Sequence, residues 1–245
     1  MRCLSIKLHK GVRKMKVTGK NAAREILNST TLIDCIYLNE NFNNSEILKL
    51  IEKRNITPKY IPMSQMDKLT KEVHQGIIIE AQDYEYYNLN DIKNDKDSSF
   101  IVILDHIEDP RNFGAIIRTC ECAGVDYIVI PNKRSTLITS TVMKTSSGAL
   151  TNQKVALVSN LNNTISTLKE LGYWIIGSDA KGTDYKKIDY KGKVALIIGS
   201  EGFGLKELVR KNCDFVASIP LNGKVNSLNA SVAAGILIYE VVRNK

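Results

Sequence analysis

From position 100 onward the chain returns six times to a short, uninterrupted run of apolar or β-branched residues, at 100–104, 127–130, 155–158, 174–176, 194–198 and 215–219. Runs of this kind have no polar face, so each must be covered on both sides. Segments with helical spacing separate several of them, notably 115–123, 161–171 and 205–211. Apolar strands interleaved with helices predict an α/β fold with a mainly parallel sheet layered on both faces. In such sheets ligands collect at the carboxyl ends of the strands, so the loops after the runs are where function is to be sought.

Residues 16–83 carry a second, smaller pattern. Helical spacing at 19–28, 45–54 and 63–72 alternates with strand-like pieces at 35–38, 59–62 and 76–81, which predicts a small α/β layer domain. Residues 84–99 are polar and charged without apolar periodicity and read as a linker to the larger domain over 100–245.

The net charge of +8 would suit a nucleic-acid partner, but seven Lys or Arg and no acid lie in residues 1–20, which leaves the rest of the chain at +1. Residues 1–15 read as a solvated basic tail; an RNA-contacting arm, a targeting peptide or an upstream start ahead of Met15 fits the same residues. No window is apolar for the eighteen or more residues that a membrane span needs. Cys3, Cys35, Cys120, Cys122 and Cys213 form no regular framework and predict reduced thiols in a cytoplasmic protein. Cys120-Glu121-Cys122 lacks zinc-site spacing and a second ligand pair, so no metal is expected.

Three loops hold residues that packing does not require. The first, 105–118, leads through Asp109, Pro110, Arg111, Asn112, Phe113 and Gly114 into a helix bearing Arg118; Asn112 equally reads as a helix N-cap and Arg118 as a surface residue. The second, 199–204, is Gly-rich and runs from strand to helix, yet it has neither dinucleotide nor P-loop spacing. Glu201 within it would repel a phosphate, so the loop suits a ligand that is neutral or positively charged, such as the sulfonium S-adenosylmethionine. The third, 219–229, offers Gly223, Asn226, Ser227 and Asn229 as neutral donors and acceptors before a small, apolar helix at 230–241 that is expected to be buried on nearly every side. A Ser-His-Asp hydrolase built from Ser227, His106 and Asp105 is disfavoured: no Gly-x-Ser-x-Gly elbow is present, and adjacent His and Asp at a strand end are expected to point apart.

Taken together the three loops resemble the motifs of the SpoU (TrmH) family of RNA ribose 2′-O-methyltransferases. Residues 112–119 resemble its first motif, 198–205 its second and 219–240 its third. Residues 19–22 and 73–77 are similar to the substrate-binding domain of the RlmB branch, which methylates a guanosine of large-subunit (23S) ribosomal RNA. The resemblance implies a C-terminal α/β-knot (SPOUT) domain whose end threads a loop, an N-terminal domain of the ribosomal L30e/L7Ae type, S-adenosyl-L-methionine as cofactor, a ribosomal RNA hairpin as substrate, and a homodimer. It further implies that Arg118 is the base or activating group, that Asn112 places it or a substrate phosphate, and that Glu201, Ser227 and Asn229 shape the pocket. Gly199, Gly202, Ile219, Leu221 and Leu228 match cofactor-binding positions. The alternatives are a transfer-RNA ribose methyltransferase of the same family and a non-catalytic RNA-binding or ribosome-assembly protein; the latter would be expected to have lost Asn112, Arg118, Glu201 or Asn229, and all four are present.

Overall fold

The computed structural model describes residues 14–29, 31–82, 84–200, 204–224 and 226–245. Most of the expected basic tail, and Glu201 and Gly202, lie outside the described residues. The chain divides into two units, Met1–Glu85 and Tyr86–Lys245.

In the first unit β1 (Lys14–Thr18), α1 (Lys20–Asn28), β2 (Ile33–Asn39), α2 (Ser45–Lys53), β3 (Lys59–Ile61), α3 (Met63–Leu69) and β4 (Ile77–Gln82) form a sheet of order β1-β4-β2-β3 with helices packed on it. Strand β2 runs parallel to β3 and antiparallel to β4. Asn44 caps α2 by accepting from the Ile47 N–H at 3.0 Å, and Ile47 and Ile51, one turn apart, turn that helix's apolar face inward. Two boundaries differ from expectation. Strand β1 starts inside the expected tail, with Met15 opposite Ala81 and Val17 opposite Ile79, so Lys14 and Met15 belong to the sheet. Helix α3 stops at Leu69, since Thr70 is already extended.

The second unit begins earlier than its apolar pattern. The stretch expected to be a linker is structured from Tyr86 on: the Tyr87 N–H donates to Val155 and its carbonyl accepts from Leu157, and α4 (Leu89–Asn94) follows. A reciprocal capping box between Asn88 and Asp91 starts this helix, and buried Ile92 anchors it. Then come β5 (Phe100–Leu104), α5 (Pro110–Cys122), β6 (Tyr127–Pro131), α6 (Ser140–Thr145), β7 (Lys154–Val158), α7 (Leu161–Glu170), β8 (Tyr173–Asp184), β9 (Lys193–Ile198), α8 (Glu207–Lys211), β10 (Phe215–Ser218) and α9 (Ala230–Asn244).

The six strands pair in the order β10-β8-β9-β5-β6-β7, every pair parallel. All carboxyl ends therefore share one edge. After β5 the chain moves outward to β6, whereas after β9 it moves the other way to β10, so the adjoining ends of β5 and β9 are the topological switch point. Strand β8 far exceeds the expected run at 174–176. Its pairing to β10 jumps from Gly177 opposite Val216 to Thr183 opposite Ala217, so residues 178–182 have no partner in β10. The polar composition beyond Gly177 hid this half of the strand.

Helix α5 starts five residues before its apolar spacing. Asp109 is its N-cap, accepting from the Arg111 N–H at 2.9 Å, and Pro110 occupies the first turn, where its missing N–H costs nothing. Asn112 is thus inside the helix and not its cap. Gly114 lies against α6, where a Cβ would fall 1.9 Å from Thr145 Oγ1 and 2.7 Å from its Cβ. Helix α9 packs on α5 and β9 through Ala234, Leu237, Ile238 and Val241, but Val232 and Tyr239 are half exposed and Val242 is 38% exposed. The expectation of burial on nearly every side therefore fails within one chain.

Gly114→Ala is expected to push α5 and α6 apart and to destabilise the fold by about 1–3 kcal/mol, as overpacking does. Chemical denaturation followed by circular dichroism measures it, and Thr145→Ala should recover part of the loss; an unchanged midpoint for Gly114→Ala would contradict this packing.

Candidate active site at the carboxyl edge of the sheet

Two adjoining cavities open along the carboxyl edge. The first lies between the ends of β8, β9 and β10 and the loop before α9, lined by residues that include Asp179, Gly199, Ile219, Leu221, Ser227 and Leu228. The second lies at the switch point, lined among others by His106, Asp109, Asn112, Arg134 and Lys206. Ser200 and Gly204 belong to both, so the loop after β9 is the wall between them.

That wall is shaped by backbone proximity. The Ser200 N–H donates to the Gly204 carbonyl at 3.1 Å and the Gly204 N–H returns to Ser200 at 3.0 Å, folding the loop back on itself. A Cβ on Gly199 would sit 2.5 Å from the Gly204 carbonyl carbon, so only glycine admits this turn.

No Lys or Arg is among the described residues lining the first cavity, and Asp179 supplies a carboxylate. Burial alone would raise its pKa, but the Lys181 and Leu205 backbone N–H groups and Arg210, with Nη1 2.7 Å away, outweigh that and hold the carboxyl below the usual carboxylate range. Because Arg210 pairs with that carboxylate and no described lining residue is a cation, the cavity offers no net positive charge to hold a phosphate and suits groups that are not anionic.

Asn112 and Asn229, 117 positions apart, meet directly: Asn229 Nδ2 donates to Asn112 Oδ1 at 3.0 Å. The Asn229 oxygen meanwhile caps α9, accepting from the Ser231 N–H at 3.0 Å and its hydroxyl at 2.6 Å. One amide therefore both starts α9 and holds it to α5. Gly199, Ile219, Leu221, Ser227 and Leu228 come together in the first cavity and Asn112 in the second. Arg118 lines neither. It is six residues beyond Asn112, about 120° round the helix, and is exposed. Cys120 on the same helix is buried, and burial pushes its thiol up, so it is a packing residue and not a nucleophile.

Two residues escaped the sequence reading, Asp179, in a polar stretch that was assigned to no element, and Lys206, while His106 enters it only as part of a disfavoured hydrolase triad. Asp105 and His106 were expected to diverge. Instead His106 has φ +63°, which brings its ring back so that Nδ1 meets Asp105 Oδ1. A positive φ at histidine leaves no signature in composition or spacing.

Residues 99–239 match the SpoU rRNA Methylase family. The chain belongs to this family. Residues 16–87 match the RNA 2′-O ribose methyltransferase substrate binding family, so the SpoU domain follows a substrate-binding domain. A Bacillus subtilis protein named as a TrmH family tRNA/rRNA methyltransferase is 40% identical over 237 residues, covering 94% of this chain and 95% of the relative. A similarly named Staphylococcus saprophyticus protein is 40% identical over 242 residues, covering 96% and 97%. An rRNA methyltransferase from Sinorhizobium meliloti, solved with S-adenosylmethionine bound, superposes with a TM-score of 0.66 at 25% identity, covering 94% of this chain and 87% of that one. The SpoU methyltransferase AviRb of Streptomyces viridochromogenes shares the fold, with a TM-score of 0.68 at 22% identity, covering 94% and 89%.

Asp179→Asn should destabilise the SpoU domain by about 1–2 kcal/mol at neutral pH, because Arg210 loses its carboxylate. The folded-state pKa of Asp179 lies below its unfolded value, so its stabilisation is present above about pH 4 and is lost as pH falls through the depressed value. Urea melts of both proteins should show a gap that is constant from pH 5 to 7 and closes below pH 4; a gap independent of pH would contradict the assignment.

Proposed function

We propose that the chain uses S-adenosylmethionine to methylate the 2′-hydroxyl of a ribose in structured RNA. The first cavity carries this reading. Among the described residues its lining has no cation, its carboxylate is paired with Arg210, and the lining by Gly199, Ile219, Leu221 and Leu228 suits an adenosine edge and a sulfonium better than a polyphosphate. When bound, S-adenosylmethionine supplies a methyl group already activated on sulfur.

The protein then has to align the hydroxyl and manage its proton. The switch-point cavity, which shares the Ser200–Gly204 wall, is the place for the ribose and its flanking phosphates. Ser227 and the Asn112–Asn229 pair offer neutral hydrogen-bonding groups to the substrate, and the family resemblance adds Glu201 and Gly202 as pocket-shaping and cofactor-binding residues. Arg118 is the activating group. Its guanidinium stays protonated, holds a substrate phosphate and stabilises the alkoxide as it forms, with water accepting the proton.

The working unit is a homodimer. Val232, Tyr239 and Val242 make an exposed apolar stripe on α9, and Arg118 stands exposed on the helix packed against it, so pairing through this face would set Arg118 at the subunit boundary. Threading of the chain end through a loop is supported by α9, which packs on both α5 and β9 after the 219–229 segment has lined the first cavity. The substrate-binding domain and the RlmB-like residues at 19–22 and 73–77 favour a guanosine in a hairpin of 23S ribosomal RNA, methylated in the cytoplasm. A transfer RNA is the second reading, since the Bacillus and Staphylococcus relatives carry both substrates in their names.

Calorimetry should detect binding of S-adenosylmethionine and none of ATP or NAD; the reverse would overturn the assignment. Mapping of 2′-O-methyl groups in RNA from cells with and without the gene identifies the nucleotide. Arg118→Ala should lower methyl transfer at least about 100-fold, as loss of one oxyanion-stabilising donor does, while cofactor affinity changes little. Transfer at near the parent rate would make Arg118 a surface residue. Tyr239→Glu should convert the dimer to a monomer in light scattering, and a parent protein that is itself monomeric and fully active would contradict the dimer.

A further inference from the structure

The switch-point cavity continues, past His106 and Lys206, into a third one. Those two residues line both, and the far side is lined by Lys133, Ser159, Asn160 and Asn162. The ridge between the two cavities is built by a chain of contacts that starts in the core. Asp105 is 1% exposed; its Oδ1 meets His106 Nδ1, its Oδ2 accepts from the Lys206 backbone N–H at 3.1 Å, and its own N–H donates to Ile198 at 2.9 Å. On the outer side His106 Nε2 lies 2.8 Å from Lys206 Nζ. With the ring proton on Nδ1 facing the carboxylate, Nε2 is an acceptor and takes one ammonium hydrogen. Two donors and the positive charge of Lys206 remain directed at the groove.

A free lysine side chain is a floppy point charge with much rotamer freedom to lose. This one is held at a ridge with a pocket on either side. The anion that joins two pocket-sized groups is a phosphodiester. We propose that Lys206, positioned by the Asp105–His106 pair, grips the phosphate between the nucleotide to be methylated and its neighbour, and that the cavity bounded by Lys133, Asn160 and Asn162 receives that neighbouring nucleotide of single-stranded RNA. Arg134 on the near side and Lys133 on the far side are further cations, set among the carboxylates of Glu108 and Asp109 on the near side and of Glu207, which is paired with Lys211, on the far side. Asn160 and Asn162 offer amides to a base edge. The inference rests on the reading of the chain as an RNA methyltransferase.

Lys206→Gln keeps a hydrogen-bonding group beside His106 and removes the charge, which separates a phosphate grip from a mere brace between two loops. Fluorescence anisotropy of the full-length protein with a labelled, unstructured ten-nucleotide RNA, at several salt concentrations, reads the difference. Each phosphate contact to a single strand contributes a slope of about −0.7 to log K against log salt. Lys206→Gln should weaken binding severalfold and flatten the slope by about that amount, and Lys206→Arg should retain it. His106→Leu leaves the charge but frees the lysine, so affinity should fall with the slope unchanged. Lys193→Gln, at the opposite end of β9, is the control for general charge. An unchanged slope in Lys206→Gln, or a change equal to that of Lys193→Gln, would overturn the proposal and leave Lys206 as a brace. Calorimetry with S-adenosylmethionine on the same proteins keeps the two readings apart: the methyltransferase reading fails if the parent does not bind it, whereas the phosphate grip fails on the RNA slope alone.

Discussion

A wholly parallel ladder has a direction, and in the larger unit every strand of the sheet obeys it. The central strands β5 and β6 are buried on both faces along their whole length, so no side chain within those two can reach a ligand, whereas the polar second half of β8 puts Asp179 in a cavity wall. Chemistry is confined to the edge where the strands end. There the arrangement departs from the usual one for open α/β sheets. The crevice at the switch point, where a dinucleotide would ordinarily lie, is lined by His106, Lys206 and Asn112. A second cavity lies toward β8 and β10, lined in part by the loop before α9.

The two cavities differ in what shapes them. Beside the one toward β8 and β10, Gly199 is irreplaceable because the loop returns to within touching distance of its own start. Around the switch-point cavity side chains fix one another. Asn229 illustrates the economy of that fixing: its oxygen starts a helix while its amide nitrogen holds Asn112. Loss of that single side chain would remove a helix cap and a tie between two helices at once.

The architecture of the larger unit was legible because each strand holds a continuous apolar run, and the three loops were legible because their residues serve no packing purpose. The structure brings Gly199, Ile219, Leu221, Ser227 and Leu228 to one cavity, as their shared position after strand ends suggested. Other parts had no such signal. Helix α4 is short and polar, and only Ile92 and the Asn88–Asp91 pair mark it, so composition suggested a linker. The second half of β8 is polar and carries no apolar run, so no strand was expected beyond 176, and Asp179 was lost with it. The contact of His106 with Asp105 depends on one backbone angle. Each of these features is decided by tertiary neighbours and not by local pattern.

The excursion at residues 178–182 has a consequence for how such a pocket can change. Pairing with β10 holds β8 on both sides of it, at Gly177 and at Thr183, and the segment between is tied to the same strand, since Ser218 donates to the Ala180 carbonyl at 2.9 Å and a Cβ on Gly182 would fall 2.4 Å from the Val216 carbonyl oxygen. A change of length there would spare the ladder but break these contacts, so the wall that the segment gives the cavity can be reshaped only together with the edge strand.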